Sequence, residues 1–168
     1  EQVQLIDKKS KQINMPMISA RILTINGKNP KELINENNKS FWFINGERRI
    51  SWSKKPPSNN PVSKGKWWDK DSKDKLYISL DSKVAKNLKL EIGDSITFNI
   101  YGNSITGQIK NFRKVDYTDF NMNFAILFNP DYASKIPHEF ISTVKFNNEE
   151  LVSLRNLLKM LPNITYIK

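Results

Sequence analysis

The sequence predicts an α+β fold in which a small β-α-β layer carries a β-rich insertion. Residues 95–100 and 104–109 alternate polar and apolar side chains, as the strands of a hairpin do when one face lies on a core. Toward the C-terminal end, an apolar run at 141–146, a helical pattern over 147–161 and an apolar run at 164–167 give the order strand, helix, strand. The length of 168 residues favours one domain with room for two subdomains.

The N-terminal residues predict a short helix that changes into a strand. Apolar residues up to Ile13 have a weak helical spacing, and Pro16 breaks that pattern. The Ile- and Leu-rich residues 17–26 then predict a strand, which a dense turn signal ends.

A hairpin and a long loop are predicted next. Asn45 and Gly46 separate the apolar residues 41–44 from residues 48–53, and Asn-Gly supplies the positive φ angles that a tight hairpin turn requires. Residues 54–66 are rich in Pro, Ser and Asn, so we expect an exposed loop or a partly extended arm there, and the most mobile segment of the chain.

The central part of the chain predicts a capped helix between strands. Residues 76–80 have the composition of a short strand, and either Asp81 or Ser82 can accept hydrogen bonds from the first free N–H groups of a helix that follows. The apolar residues of 84–90 fall on one face of that helix. Residues 123–128 form a continuous apolar run, which indicates a central strand.

Composition excludes several classes of function. The chain has no cysteine, so disulfides, thiol catalysis and cysteine-based metal sites are excluded. The net charge of +10 raises nucleic acid or anionic lipid as partners, but the excess is carried by Lys rather than by phosphate-gripping Arg. A solvated Lys-rich surface is therefore favoured over both partners. No apolar run reaches the ~20 residues of a membrane span, and because the chain starts at Glu1 without Met we expect a fragment whose flanks carry the spans.

Six segments of the sequence resemble the extracytoplasmic, MacB-like periplasmic core domain of FtsX-like ABC transporter permeases, and the YbbP-type permeases most of all. They are residues 22–28, 48–52, 65–68, 88–100, 114–117 and 123–130. The resemblance implies a porter-like β-α-β subdomain made of residues 1–46 and 140–168, and a mainly β, Sabre-like insertion at residues 47–139.

The resemblance also implies a function. It implies a periplasmic domain of an inner-membrane transport protein. This domain relays ATP-driven conformational change to a periplasmic or membrane client, a role called mechanotransmission. The resemblance does not imply an enzyme. The implied partners are a cytoplasmic ABC ATPase subunit, the membrane through flanking spans, and a periplasmic hydrolase, lipid or lipoprotein client, with no cofactor and no nucleic acid. The alternative hypothesis is a basic β-rich module that binds single-stranded nucleic acid on aromatic side chains.

Five residues are candidates for contact with a partner or with lipid. Trp67 and Trp68 are adjacent large aromatic residues after the predicted loop, while Arg48, Arg49 and Trp52 combine cations with an aromatic ring. Structural explanations compete with this hypothesis. One Trp can pack over the sheet while the other covers its edge, and the arginines can form a charged edge that discourages aggregation.

No catalytic residue and no metal site are predicted. The sequence has two acidic groups. The first is Asp69, Asp71 and Asp74, and the second is Asp116 and Asp119 beside Tyr117. Neither group has the spacing of a calcium-binding loop, and Lys residues interrupt both, so solvated loop charges explain them better. His138 is the single histidine, and no recognisable nucleophile context accompanies it. A hydrolase that uses His138, Asp116 and Asp119 is the third hypothesis.

Overall fold

The computed structural model describes residues 11–69, 75–118, 123–145 and 159. The chain forms two compact units, one of Glu1–Met15 with Ile141–Lys168 and one of Pro16–Phe140. These bounds differ from those of the predicted subdomains, residues 1–46 with 140–168 and residues 47–139, and the division into porter and Sabre parts stays a prediction. Most of the predicted helix at 147–161 and the strand at 164–167 lie outside the described residues.

The described residues contain eight strands and three short α-helices. The strands are β1 (Lys11–Ile25), β2 (Glu47–Trp52), β3 (Val62–Gly65), β4 (Tyr77–Asp81), β5 (Ser95–Ile100), β6 (Asn103–Arg113), β7 (Ile126–Phe128) and β8 (Glu139–Lys145). The helices are α1 (Phe41–Ile44), α2 (Ser82–Leu88) and α3 (Pro130–Ala133), and a 3-10 turn spans Pro30–Glu32.

Six strands of the Pro16–Phe140 unit close into a ring. Its order is β1, β2, β7, β4, β6, β5 and back to β1. β6 lies antiparallel to β5 and parallel to β4, and β7 lies antiparallel to β4 and parallel to β2. The ring closes because β1 pairs with β2 around Ile18 and with β5 around Ile25. β3 adds to the end of β6.

Alternating side chains fill this ring with a hydrophobic core. β5 shows the predicted pattern, since Ile96, Phe98 and Ile100 are buried while the residues between them are partly exposed. The Phe98 ring packs edge-on against Phe128 of β7 with 5.3 Å between centroids. The predicted hairpin of β5 and β6 is confirmed, with Phe98 opposite Ile105.

Helix α2 has the predicted cap. Asp81 Oδ1 accepts a hydrogen bond from the Lys83 N–H over 2.9 Å, and Val84 and Leu88 pack on the core. The helix ends at Lys89, whose φ of 54° is left-handed.

Within the Glu1–Met15 and Ile141–Lys168 unit, residues 11–15 and 141–145 are extended and Lys159 is helical. Residues 11–15 belong to β1 and residues 141–145 to β8, and Ser142 Oγ donates a hydrogen bond to Asn14 Oδ1 over 2.7 Å. The helix predicted up to Ile13 is therefore wrong for residues 11–13, and the rest of it lies outside the described residues.

The prediction for residues 41–44 is also wrong. They form helix α1 instead of a strand, because one helical turn places Phe43 and Ile44 in the core while Trp42 stays 44% exposed. β2 accordingly pairs with β1 and β7 rather than with residues 41–44. Residues 54–66, predicted as an exposed loop or a partly extended arm, contain the short strand β3, and Asn60 among them is buried.

Candidate functional site

A row of polar side chains runs across the outer face of the barrel and is fully buried. In the strand register Asn111 of β6 lies beside Ser79 of β4, and Ser79 lies opposite Leu127 of β7. The neighbours of Ser79, Ile78 and Leu80, belong to the core. Since side chains alternate along a strand, Ser79 points away from that core.

Arg113, at the end of β6, is the centre of this buried polar row. Its Nε donates to Ser79 Oγ over 2.7 Å, and its Nη2 donates to the carbonyl oxygen of Phe124 over 2.9 Å. Ser79 Oγ in turn donates to Asn111 Oδ1, and Asn111 Nδ2 donates to the Lys66 carbonyl over 3.2 Å. Arg113 Nη1 has no hydrogen-bond partner among the described residues.

Burial changes the ionisation of this cluster. Removal from water lowers the pKa of Arg113 to about 10, while the nearby Tyr117 and the carboxylate of Asp81 oppose that shift. Asp81 lies next to Arg113 in the register, and its Oδ2 accepts a hydrogen bond from the Tyr117 hydroxyl over 2.9 Å. Partial burial first, and then the charge and hydrogen bond of Asp81, raise the pKa of Tyr117 well above its ordinary value.

Residues 53–69, which we call the cover, lie over part of the polar row. The cover contains the predicted pair Trp67 and Trp68, whose ring centroids are 3.9 Å apart. Trp67 Nε1 donates to the Lys54 carbonyl over 3.0 Å and Trp68 Nε1 donates to the Ser53 carbonyl over 2.9 Å. Trp68 is only 7% exposed, so at least this indole has a structural role.

Asn60 joins the cover to the segment that follows β6. Its Oδ1 accepts from the Asp116 N–H over 3.0 Å, and its Nδ2 donates to Asn123 Oδ1 over 3.0 Å. The Lys114 N–H also donates to the Pro61 carbonyl over 3.0 Å. The cover is therefore hydrogen-bonded to Lys114, Asp116 and Asn123, which follow the buried arginine in the chain.

The two predicted arginines of β2 differ in environment. Arg49 is exposed, whereas Arg48 is partly buried, donates from Nη2 to the Asn45 carbonyl over 2.8 Å, and lies 5.4 Å above the Trp42 ring. Partial burial lowers the pKa of Arg48. Arg49 thus presents its charge to solvent, while Arg48 is held against an exposed aromatic ring.

Trp52, the fifth predicted contact residue, belongs to an aromatic stack. Its ring lies edge-on to His138 at 4.8 Å, and His138 lies 5.3 Å from Phe140, which is 67% exposed. His138 Nδ1 is within 2.8 Å of the Ile136 carbonyl. The ring packing and the short contact with a backbone carbonyl indicate a structural role for His138.

The structure brings some of the predicted contact residues together and leaves others apart. Trp67 and Trp68 stack on each other and are tied to the two residues after Trp52, while the predicted arginines lie nearer the start of β2. Whether these five residues contact a partner or lipid stays a prediction. The nucleic-acid alternative likewise stays a prediction, although the buried Trp68 is not available as a stacking platform.

Sequence reasoning missed Arg113, Asn111 and Asn60 as structural centres. A signal was present for Arg113, because it is one of only a few arginines and follows a strand of alternating residues. Arginine side chains are nevertheless mostly exposed in proteins, and only the cover explains why Arg113 is buried.

The acidic groups do not form a metal site within the described residues. No group of three His, Asp or Glu side chains there could hold a metal ion. Asp116 Oδ1 accepts hydrogen bonds from the N–H and hydroxyl of Thr118 at 2.9 and 2.6 Å, a local turn that agrees with a structural loop charge. Asp71, Asp74 and Asp119 lie outside the described residues.

The sequence is similar to that of a curated protein described only as a transporter permease. Over 152 residues it is 26% identical to the protein of Escherichia coli (strain K12) described as an uncharacterized ABC transporter permease, YbbP. This similarity supports kinship with ABC transporter permeases. The aligned stretch covers 90% of this chain and 18% of that permease, so the chain spans about a fifth of its relative's length.

Two further observations accompany this similarity. No protein-family profile matches the sequence. Within the part of the chain that the structure describes, no helix has the length and apolar character needed to cross a bilayer. The description of the relative names it as a transporter permease.

Proposed function

We propose that this chain is the periplasmic domain of a bacterial ABC transporter permease, and that it relays ATP-driven conformational change to a periplasmic or membrane client. The observation that carries the proposal is the similarity to an ABC transporter permease along 90% of the chain. In the proposal the domain performs no chemistry. Its partners are a cytoplasmic ATPase, reached through the rest of the permease, and a hydrolase, lipid or lipoprotein client.

The architecture of the Pro16–Phe140 unit supports a mechanical role. A closed ring of strands has paired edges, and the buried bonds from Arg113 and Asn111 tie the barrel wall to segments outside it. Densely packed units of this kind move as rigid bodies and transmit displacement rather than absorb it. Such a unit can carry motion from flanking membrane spans to a client.

The proposed contact surface includes Arg49 and the exposed ring of Trp42. Arg49 is exposed on β2, and Trp42 is held by Arg48. Cations beside aromatic rings suit either an acidic protein surface or anionic lipid head groups. The other predicted contact residues, Trp52, Trp67 and Trp68, lie at the end of β2 and in the cover and form a separate group.

The compartment is tested by cysteine labelling in the full-length permease. Because this chain has no cysteine, Lys54→Cys at an exposed position gives a single label in the domain once any cysteines elsewhere are replaced. A membrane-impermeant maleimide should label Lys54→Cys in intact spheroplasts. Labelling that requires lysis would contradict a periplasmic location, and a parallel sample lysed before labelling controls for reactivity.

The relay is tested with the same variant. In membranes that contain the permease and its ATPase, the rate of Lys54→Cys labelling should differ between nucleotide-free, ATP-bound and vanadate-trapped states, because the domain moves with the ATPase cycle. An ATPase variant that binds but does not hydrolyse ATP is the matched control. Equal labelling rates in all states would count against the relay while leaving the location intact.

A further inference from the structure

We propose that a groove between residues 33–38 and residues 87–90 binds a small amphipathic anion, meaning a molecule with one carboxylate or phosphate group and a short apolar chain. The groove lies in the Pro16–Phe140 unit and has a volume of about 510 Å³. Small-molecule sites commonly have volumes of about 300–1,000 Å³. This ligand site goes beyond the proposed relay and does not depend on it.

One side of the groove is apolar. Leu88 and Leu90, both 5% exposed, and the buried Ile25 form its deeper part. Leu33 lies at the opening and keeps 38% of its surface exposed, with Ile34 partly exposed beside it. An apolar chain that lies along these residues removes hydrocarbon surface from water on both partners.

The charges that line the groove are all positive. Lys28 and Lys89 line it, and no Asp or Glu does. The described residues contain one ion pair, Lys64 with Glu91, so neither groove lysine is neutralised by a carboxylate there. Two exposed lysines that have no carboxylate partner among the described residues, beside an apolar floor, favour a ligand that carries negative charge.

Two asparagine side chains add hydrogen-bond donors. Asn26 Oδ1 accepts from the Ser95 N–H over 2.8 Å, and Asn35 Oδ1 accepts from the Asn37 N–H over 3.2 Å. Because backbone N–H groups occupy both oxygens, each side chain is oriented with its NH₂ group as the remaining donor. Asn87 Oδ1 is left as an acceptor, which a ligand hydroxyl can use.

Hydrogen bonds within the chain hold the walls of the groove in place. Asn38 Nδ2 donates to the Asn87 carbonyl over 3.3 Å, and Asn87 Nδ2 donates to Ser40 Oγ over 2.8 Å, so the two walls are linked. Ile25 and Lys28 exchange backbone hydrogen bonds of 3.0 Å, which fixes the turn that carries Lys28. A preformed site loses little conformational entropy when it binds.

Both parts of the ligand follow from this lining. An inorganic anion would use the donors but leave Leu33 and the floor uncovered, and a neutral apolar molecule would bury the ammonium groups without a partner. A single-chain amphiphile with an anionic head satisfies both sides. Carboxylate and phosphate heads share the acceptor chemistry that Lys and amide N–H groups recognise.

Isothermal titration calorimetry on the 168-residue chain tests the proposal. The probes are octanoate and octyl phosphate, each below its micelle concentration, with acetate as the head-only control and octyl glucoside as the chain-only control. We expect saturable binding of at least one anionic probe, and the tighter of the two identifies the preferred head. Absence of binding by both, or equal binding by octyl glucoside, would overturn the proposal.

Three variants locate the site. The double variant Lys28→Gln/Lys89→Gly should weaken binding by at least tenfold, and Leu33→Ser should also weaken it. Lys89→Gly suits the left-handed backbone at that position, so folding is preserved. Lys83→Gln/Lys86→Gln removes the same number of charges from the exposed side of α2 and should leave binding unchanged. Equal affinity of the double variant and the unmodified chain would overturn the assignment to this groove.

Discussion

Arg113 Nε donates a hydrogen bond to Ser79 Oγ over 2.7 Å, and both side chains are completely shielded from solvent. The bond joins β6 to β4 on the face of the barrel wall that points away from the core. A cation in such a place is tolerated only when hydrogen bonds compensate for the lost water. The burial of Arg113 and the ordered packing of the segments above it therefore depend on each other.

Arg113→Met should destabilise the chain strongly. The substitution keeps most of the side-chain length but removes the donors to Ser79 Oγ and to the Phe124 carbonyl. We expect the free energy of unfolding in urea to fall by about 3 kcal/mol, because buried acceptors are left without partners. Arg49→Met on the exposed side of β2 is the matched control and should change it by less than about 0.5 kcal/mol.

The contact between Arg113 and Ser79 should also appear as a coupling energy. In a double-mutant cycle of Arg113→Met and Ser79→Ala, the two effects should fail to add by about 1 kcal/mol or more. The same urea transitions provide all four values. Strictly additive effects would show that the hydrogen bond seen between these residues contributes nothing to stability.

Tyr117 should titrate at higher pH than an ordinary tyrosine. Partial burial and the hydrogen-bonded carboxylate of Asp81 raise the pKa of its hydroxyl. In an alkaline titration followed by phenolate absorbance, Tyr117→Phe should remove a transition that lies above the ordinary tyrosine value of about 10. Asp81→Asn should move that transition to lower pH but not to the ordinary value, since the burial remains. A transition above the ordinary value that is unchanged in Tyr117→Phe would refute the assignment.

The same shift has a defined effect on stability. A raised pKa in the folded state means that the stability drawn from Tyr117 is fully present below about pH 10, the ordinary tyrosine value, and is lost as the pH rises above it. Arg113 acts in the opposite direction, because its pKa is lowered to about 10 and the folded state releases the proton first. Above about pH 10, Tyr117→Phe should therefore lose stability less steeply than the unmodified chain in urea unfolding.

The local elements of the fold could be predicted from the sequence, and the closure of the barrel could not. The alternation in β5 and the Asp81 cap of α2 follow from period and capping chemistry within a few residues. Ring closure depends on β2 pairing with β1 and, in parallel, with β7, and no local pattern specifies partners so distant in sequence. The prediction of a strand at residues 41–44 was wrong for a related reason, because a four-residue apolar run fits either a strand or one helical turn.

The candidate site was harder to predict than the fold. Trp67 and Trp68 are conspicuous as sequence neighbours, but the hydrogen bonds that both indoles make to the start of the cover appear only in three dimensions. Arg113 was not predicted as a buried residue, because its burial requires the cover to fold over β6. The lining of the groove is drawn from separate turns, so its excess of donors has no sequence signature either.

Gly65→Ala should disrupt the pairing of β3 with β6. Gly65 has a φ of 83°, and an added Cβ would lie 2.5 Å from the Lys110 carbonyl oxygen. Gly93 has a φ of 97° with open space around it, so Gly93→Ala is a control that introduces backbone strain without a steric clash. We expect a loss of about 1 kcal/mol for Gly93→Ala and about 2–4 kcal/mol for Gly65→Ala in thermal or urea unfolding. Equal losses would mean that the β6 backbone yields without cost.

The two tryptophans of the cover should differ in their contribution to stability. Trp68→Phe removes a donor from a nearly buried indole and leaves the Ser53 carbonyl unpaired, so we expect a loss of about 1–2 kcal/mol. Trp67→Phe removes a hydrogen bond from a more exposed ring, where water can replace it, and should cost about 0.5 kcal/mol. Urea unfolding of both variants measures the difference. If Trp67→Phe proves the more costly, Trp67 rather than Trp68 anchors the cover.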